Sequence, residues 1–516
     1  MSHQERLTGI VATVGTSAAP KLGKRSAGRA LEIRNILIIA VFSVLARASA
    51  LFLSAIDWDE GVYIVMAQQW RQGYLPYVAV WDQHPPGLPA LLAAVQALIP
   101  DPVFSARLLG TLAVAVTAGV IQLFGTRYLR RPKIGLAGAL LYVVCISRFG
   151  GLALNTELIN AAIVSTASYL LLTASEESVR GIWKATLAAM LLGIGLQVKY
   201  VVLPEALLTC IAYLVFIAAR GIPIPNILGI GIILICAGVL PTLTAVAYFW
   251  SQGLLDAFLD ANVRANVAYL SIGSDPVAMS WSAISGLSPL LGPILLIGYA
   301  WRGRMRSLSR RPSTRGFEIW IGIWIVAAIL NICLPMKFFT HYFFGLYAPV
   351  CIGGMLALDR VMGKSRRSFV LGCVTLFLTA APLWSAGMIR AARAHDIPRA
   401  FAALIRQAGA SERSVYVYNY QPIIYALAGV RPPTPYVIHA ELAQFSASAN
   451  VSGPDEVDRI MKTAPRFLVV KSHVPGSEED PLIDTLTPYL RQYDIVSDLS
   501  EANGEHVRLY RKSGLP

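Results

Sequence analysis

From Asn226 to Trp250 the chain carries no charged side chain. A helix of about 20 apolar residues crosses the hydrocarbon core of a bilayer. In lipid, the backbone polar groups of such a segment must be satisfied within it, so it spans as a helix. Comparable stretches recur at 35–56, 104–126, 134–148, 158–175, 185–198, 201–219, 277–301, 318–336, 342–358 and 368–389. The chain therefore reads as a mainly α, polytopic membrane protein with about eleven transmembrane helices, in a range of about ten to thirteen. Composition agrees, since 14% of the 516 residues are charged and 55% are hydrophobic, whereas a soluble domain carries about 25% charged residues. The formal net charge of +14 would suggest nucleic acid in a soluble protein. Here the charge lies largely in short loops between spans, so the bilayer is the expected partner and nucleic acid is not. The six cysteines sit in apolar runs with no C-x-x-C pair, which supports neither a disulfide framework nor a zinc site.

Short loops orient a membrane protein through Lys and Arg. Basic residues concentrate in the first 34 residues and in alternate loops, including Arg127, Arg130, Arg131 and Lys133, then the run from Arg302 to Arg315, then Arg360 to Arg367. The opposite loops hold few. This asymmetry places the N-terminus in the cytoplasm and the C-terminal segment outside. The expected organisation is a basic N-terminal segment 1–34, a transmembrane unit 35–389 and a small external, periplasmic α/β unit 390–516. In the last, SVYVYN (414–419), RFLVV (466–470) and HVRLYR (506–511) read as strands, with helices near 421–429 and 454–463.

The first external loop, 57–102, carries the most chemistry. Asp57, Asp59, Glu60 and Asp82 cluster at the membrane surface. Between them, Val62, Val65, Met66 and Trp70 fall on one face, the pattern of a helix lying in the membrane interface. Carboxylates so placed suit a reaction in which a hydroxyl loses its proton while a phosphate leaves. One acts as general base, and another holds a metal ion or orients a basic group against the phosphate.

The loop resembles the first external loop of GT-C superfamily glycosyltransferases, in the branch of the protein O-mannosyltransferases and the lipid A aminoarabinose transferase. Members carry an Asp-Glu pair after the first span, a juxtamembrane helix, then an acid–basic–Pro-Pro element. Asp59-Glu60 and Asp82-Gln83-His84-Pro85-Pro86-Gly87 match these two elements. His84 stands where many relatives have Lys, and the second acid lies one place earlier than in the aminoarabinose enzyme. The resemblance implies a catalytic Asp59 with Asp82 as its partner and Glu60 beside it. A divalent metal, should one serve, would sit on Asp59 and Asp82. It further implies roles in binding the donor phosphate or substrate for His84, Tyr63, Glu157 and Lys199, and for Lys337 and His341 in KFFTHYFFGLYAP (337–349). Lys337 and His341, four residues apart, would share a helix face.

The implied function is transfer of a sugar from a polyprenyl-phosphate donor to a hydroxyl of a glycan, lipid or protein acceptor, at the external face of a bacterial inner membrane. The alternative is a transporter or lipid flippase of envelope precursors, which would concentrate charge and broken helices near the membrane midplane. The orientation has a direct check. A reporter active only outside the cytoplasm is expected to be active when fused after residue 390 and silent when fused within 302–315; the reverse pattern would overturn it.

Overall fold

The computed structural model describes residues 20–514 apart from 178, 274, 305–313, 363–365, 412, 472–479 and 502–503. Residues 1–19 of the basic N-terminal segment, and most of the basic run 302–315, lie outside the described residues.

The helices in chain order are α1 Pro20–Leu45, α2 Trp58–Arg71, α3 Gly87–Leu98, α4 Pro102–Phe124, α5 Pro132–Ile146, α6 Thr156–Ala174, α7 Val179–Leu196, α8 Leu203–Ala218, α9 Ile224–Ser251, α10 Leu255–Leu259, α11 Ala265–Ser271, α12 Pro276–Leu287, α13 Leu291–Arg304, α14 Arg315–Cys333, α15 Phe344–Met362 and α16 Arg366–Arg393. Among the described residues, seven helical stretches are long and apolar enough to cross a membrane, and α3, α5 and residues 181–196 of α7 are shorter apolar helices. The protein is a multi-pass membrane protein, and every stretch read as a span overlaps a helix. Helix α9 turns most of its apolar side chains outward, with Ile232, Ile235 and Leu243 exposed, as a lipid-facing helix does.

Two expectations are corrected. The first span was read as 35–56, but α1 stops at Leu45. Arg47 causes the break, because burying a guanidinium demands partners for its donors. Its Nε donates to Thr111 Oγ1 at 3.1 Å and its Nη1 and Nη2 to the Gly151 and Leu152 carbonyls at 2.5 and 3.0 Å. Helix α2 was read as presenting a single apolar face; instead every residue from Glu60 to Ala67 is buried within the protein. The side away from the membrane helices is covered by α18 (Ile423–Ala428). Gly61 makes this approach possible, since a Cβ there would lie 2.9 Å from Pro422 Cγ.

After α17 (Ile397–Gln407), the chain forms a four-stranded mixed sheet, order β1-β2-β4-β3. Strands β1 (Val415–Tyr418) and β2 (Phe467–Lys471) pair in parallel. Strand β4 (His506–Lys512) runs antiparallel to both β2 and β3 (Tyr493–Ser500). Alternation along the strands assigns the two faces. Val415, Val417, Val469 and Leu509 share the core that continues through α17 and α18 into the membrane helices. Beyond the short helices α19 (His439–Leu442) and α20 (Ser446–Ala449), Tyr416, Tyr418, Leu468 and Val470 form a second core with α21 (Gly453–Lys462) and α22 (Ile483–Leu490). The three strands read from the sequence are present. The edge strand β3 was missed, because YDIVSDLS is mostly exposed and carries no apolar alternation.

Helix α2 starts where a buried ion pair fixes it. Arg107 on α4 donates to Glu60 Oε1 at 2.5 Å and to the Leu53 carbonyl at 2.9 Å, and Leu154 N–H donates to the same Glu60 oxygen at 2.6 Å. Removing one member of a buried pair strands the other, at a cost of about 3–5 kcal/mol. Arg107→Met should therefore lower the melting temperature in detergent far more than Arg264→Met, whose ion pair is exposed. Equal melting temperatures would show that the pair does not hold the loop.

Candidate active site

Helix α2, the loop that follows it, the α7–α8 break, the turn before α15 and the C-terminal segment line one cavity of about 560 Å³. Asp57 caps α2, its carboxylate accepting from Asp59 N–H at 3.2 Å. That cap, with the Glu60–Arg107 pair one residue further on, sets Asp59 on the cavity wall. Burial, followed by the neighbouring charge of Asp57, raises the Asp59 carboxyl to about 6, against the opposing pull of His341 and His84. Asp59 is thus largely ionised at neutral pH but basic enough to accept a proton.

Asp82 and His84 form a pair across the loop, with Nδ1 of His84 at 2.8 and 3.1 Å from the two Asp82 oxygens. Burial works against the imidazolium, but the Asp82 charge and hydrogen bond outweigh it, and the His84 pKa is raised. Tyr63 from α2 meets His84 edge to face, ring centroids 5.8 Å apart, with its hydroxyl 3.5 Å from Nδ1. Gly87 explains the end of this element. Its N–H donates to the Gln197 carbonyl at 2.7 Å, and a Cβ would lie 2.3 Å from that oxygen. This close approach ties the loop to the α7–α8 break and brings Lys199 to the same cavity.

Lys199 donates to Glu157 Oε1 at 2.6 Å and lies 4.1 Å from the Tyr342 ring centroid. Glu157 also accepts from Thr156 Oγ1 at 2.9 Å. His341 lines the cavity between Phe339 and Tyr342.

The structure thus brings Asp59, Asp82, His84, Lys199 and His341 to one cavity, with Tyr63 and Glu157 directly behind two of them. Glu60 and Lys337 are placed elsewhere. Glu60 faces Arg107 and does not line the cavity. Lys337 does not share a helix face with His341, because Met336 and Phe338 take positive φ and the helical turn begins only at Thr340. Its ammonium donates to the Ile272 carbonyl and sits 4.7 Å from the Tyr269 ring centroid, behind the wall. Asp57, Tyr342 and a second wall containing His439 and Glu441 were missed as site residues. Asp57 was legible as a capping residue two places before Asp59; the second wall carries no local signal because it comes from a distant segment.

The metal expectation also meets a geometric test. Among the described residues no three His, Cys, Asp or Glu side chains converge as a metal-ligating group. Both oxygens of Asp82 are already engaged by His84. Asp59 and Asp82 are thus not joined by a third such side chain for holding an ion.

Residues 83–244 match the family model described as dolichyl-phosphate-mannose-protein mannosyltransferase. The fold resembles ArnT from Cupriavidus metallidurans, solved bound to undecaprenyl phosphate, with a TM-score of 0.61 at 13% identity, covering 92% of this chain and 97% of that one. It also resembles the oligosaccharyltransferase of Archaeoglobus fulgidus, with a TM-score of 0.53 at 12% identity over 92% of this chain and 72% of that one. The chain shares the fold of these two structures, and its residues 83–244 resemble the mannosyltransferase family. The mycobacterial arabinofuranosyltransferase AftD shares the fold as well, with a TM-score of 0.52 at 12% identity, over 93% of this chain and 40% of that one. At these identities the structural likeness is one of fold. No curated protein sequence matches the chain.

Proposed function

We propose that this protein is a glycosyltransferase that takes its sugar from a polyprenyl-phosphate donor and passes it to a hydroxyl of a cell-envelope acceptor at the external face of the inner membrane. The observation that carries this reading is Asp59, a carboxylate raised to about 6 on the wall of a cavity that it shares with His84, Lys199 and His341. A base and several cationic or cation-forming groups in one water-restricted space match what transfer from a phosphate ester requires. The charged groups gather where the membrane helices meet the C-terminal segment, which suits chemistry at an interface. The lipid ligand named for ArnT, undecaprenyl phosphate, supports the class of donor.

In the reaction so read, the acceptor oxygen attacks the anomeric carbon, and a C–O bond forms. The bond between that carbon and the phosphate oxygen breaks, and its electron pair leaves with the polyprenyl phosphate. Asp59 takes the acceptor proton. His84, held by Asp82, and Lys199, held by Glu157, offer positive charge to the departing phosphate. Glu60 serves by fixing the first turn of α2 rather than by touching substrate.

A general base contributes about 10²- to 10⁴-fold. Asp59→Asn should therefore lose activity on that scale while binding undecaprenyl phosphate normally. The pH profile has a defined sign. The base works only when ionised, so kcat should fall as pH drops through about 6 and level off above it. A variant within about threefold of the parent, or a profile flat through this range, would remove Asp59 from the role.

A further inference from the structure

The wall of the cavity opposite α2 belongs to the C-terminal segment, and the reaction described above leaves it unused. Its polar groups come from α19 (His439–Leu442) and the residues around it. His439 is held from two sides. Its Nε2 lies 2.9 Å from Asp480 Oδ1, and its ring packs edge-on against Tyr418 with centroids 4.7 Å apart. Its side chain is only 10% exposed. A carboxylate oxygen only accepts, so Nε2 carries a proton toward Asp480, and Nδ1 is the ring nitrogen left for another partner. That Nδ1 is buried and has no hydrogen-bond partner. Nearby, Glu441 spends one oxygen on Ile438 N–H at 3.3 Å and lines the cavity as well. From the first loop comes Gln83, whose Oε1 is likewise buried without a partner.

These groups share one chemistry. An imidazole nitrogen, a carboxyl group and a side-chain amide each form directional hydrogen bonds with a hydroxyl, as donor or as acceptor. A buried polar atom left unpaired is costly, so such a wall calls for a ligand rich in hydroxyls. Trp81 and Phe445 line the same space and supply flat apolar surface. Polar groups set among aromatic faces suit a polyol, whose hydroxyls donate and accept in several directions while its ring carbons cover apolar surface. A peptide offers far fewer hydroxyls.

We propose that His439, positioned by Asp480, and Glu441, with Gln83 completing the set, form the subsite that binds the acceptor, and that this acceptor is a carbohydrate. The assignment rests on the reading given under Proposed function. There the phosphate is met by His84 and Lys199, from the first loop and the α7–α8 break, which leaves the C-terminal wall to the acceptor. The C-terminal segment then selects the acceptor, and the membrane helices select the donor.

The test uses the full-length purified protein carrying Asp59→Asn, so that turnover does not consume the ligands. Two further variants add His439→Ala or Glu441→Gln, the second of which keeps the shape of the side chain. Each is titrated with the oligosaccharide fraction released from the envelope of a strain lacking this protein, and separately with undecaprenyl phosphate. Fluorescence of Trp58 and Trp81, both at the cavity, reports binding. Each added substitution should weaken glycan binding by about tenfold and leave undecaprenyl phosphate binding within about twofold. Retained lipid binding also shows that the variants are folded. Unchanged glycan affinity, an equal loss for both ligands, no saturable glycan binding, or preferential displacement by a serine-containing peptide would each overturn the proposal. Failure of the underlying reading looks different: Asp59→Asn alone would then still transfer sugar.

Discussion

Two arginines buried among the helices hold the reactive end of the molecule in shape. Arg47 ties the end of α1 to Thr111 and to the Gly151–Leu152 carbonyls, and Arg107 ties α4 to Leu53, Leu152 and Glu60. A guanidinium taken out of water destabilises the fold unless carbonyls or an opposite charge compensate it. The backbone between 150 and 154 is therefore drawn in to supply carbonyls, and Glu60 is drawn in to supply charge. Gly110 leaves the room, since a Cβ there would come within 3.3 Å of Arg47 Nη2. The cost of the arrangement is accepted at one place, the first turn of α2, and Asp59 is the residue that this turn presents. An Asp beside a buried Glu thus gains a fixed position without making the buried contact itself.

The cavity is an electrostatic compromise between acids and bases set on different elements. Asp57 and burial push Asp59 up, while His84 and His341 pull it down. Asp82 keeps His84 protonated more readily than its burial alone would permit. Glu157 holds Lys199 while the Tyr342 ring lies against the ammonium. Each cation therefore has an acid behind it and the cavity in front. This is how a phosphate can be met by positive charge in a partly dry site without leaving that charge stranded when the phosphate departs.

Much of this was legible in the sequence, for physical reasons that can be named. Spans declare themselves because lipid tolerates so few charges, and the Asp59-Glu60 and Asp82-to-Gly87 elements are local. The contacts of Gly87 with Gln197 show why that glycine belongs to the element. What was not legible depends on long-range packing. The burial of α2 on both sides follows from α18, more than 350 residues away. Lys337 and His341 have helical spacing, yet positive φ at Met336 and Phe338 breaks the helix between expectation and structure. Glu60 reads as half of a catalytic pair because its partner Arg107 lies on another helix. The wall of His439 and Glu441 comes from a short helix between strands, where nothing in the local pattern distinguishes a cavity residue from an exposed one.

The central claim is that the cavity at Asp59 is where the donor's phosphate is held. An experimental structure of the full chain with bound undecaprenyl phosphate tests it most directly. The account predicts phosphate density inside the cavity, within hydrogen-bonding reach of His84 or Lys199 and on the same side as Asp59, with the isoprenoid tail running out between the membrane helices. Phosphate held at Lys337 behind the Tyr269 wall, or anywhere outside the space enclosed by α2 and the C-terminal segment, would contradict it.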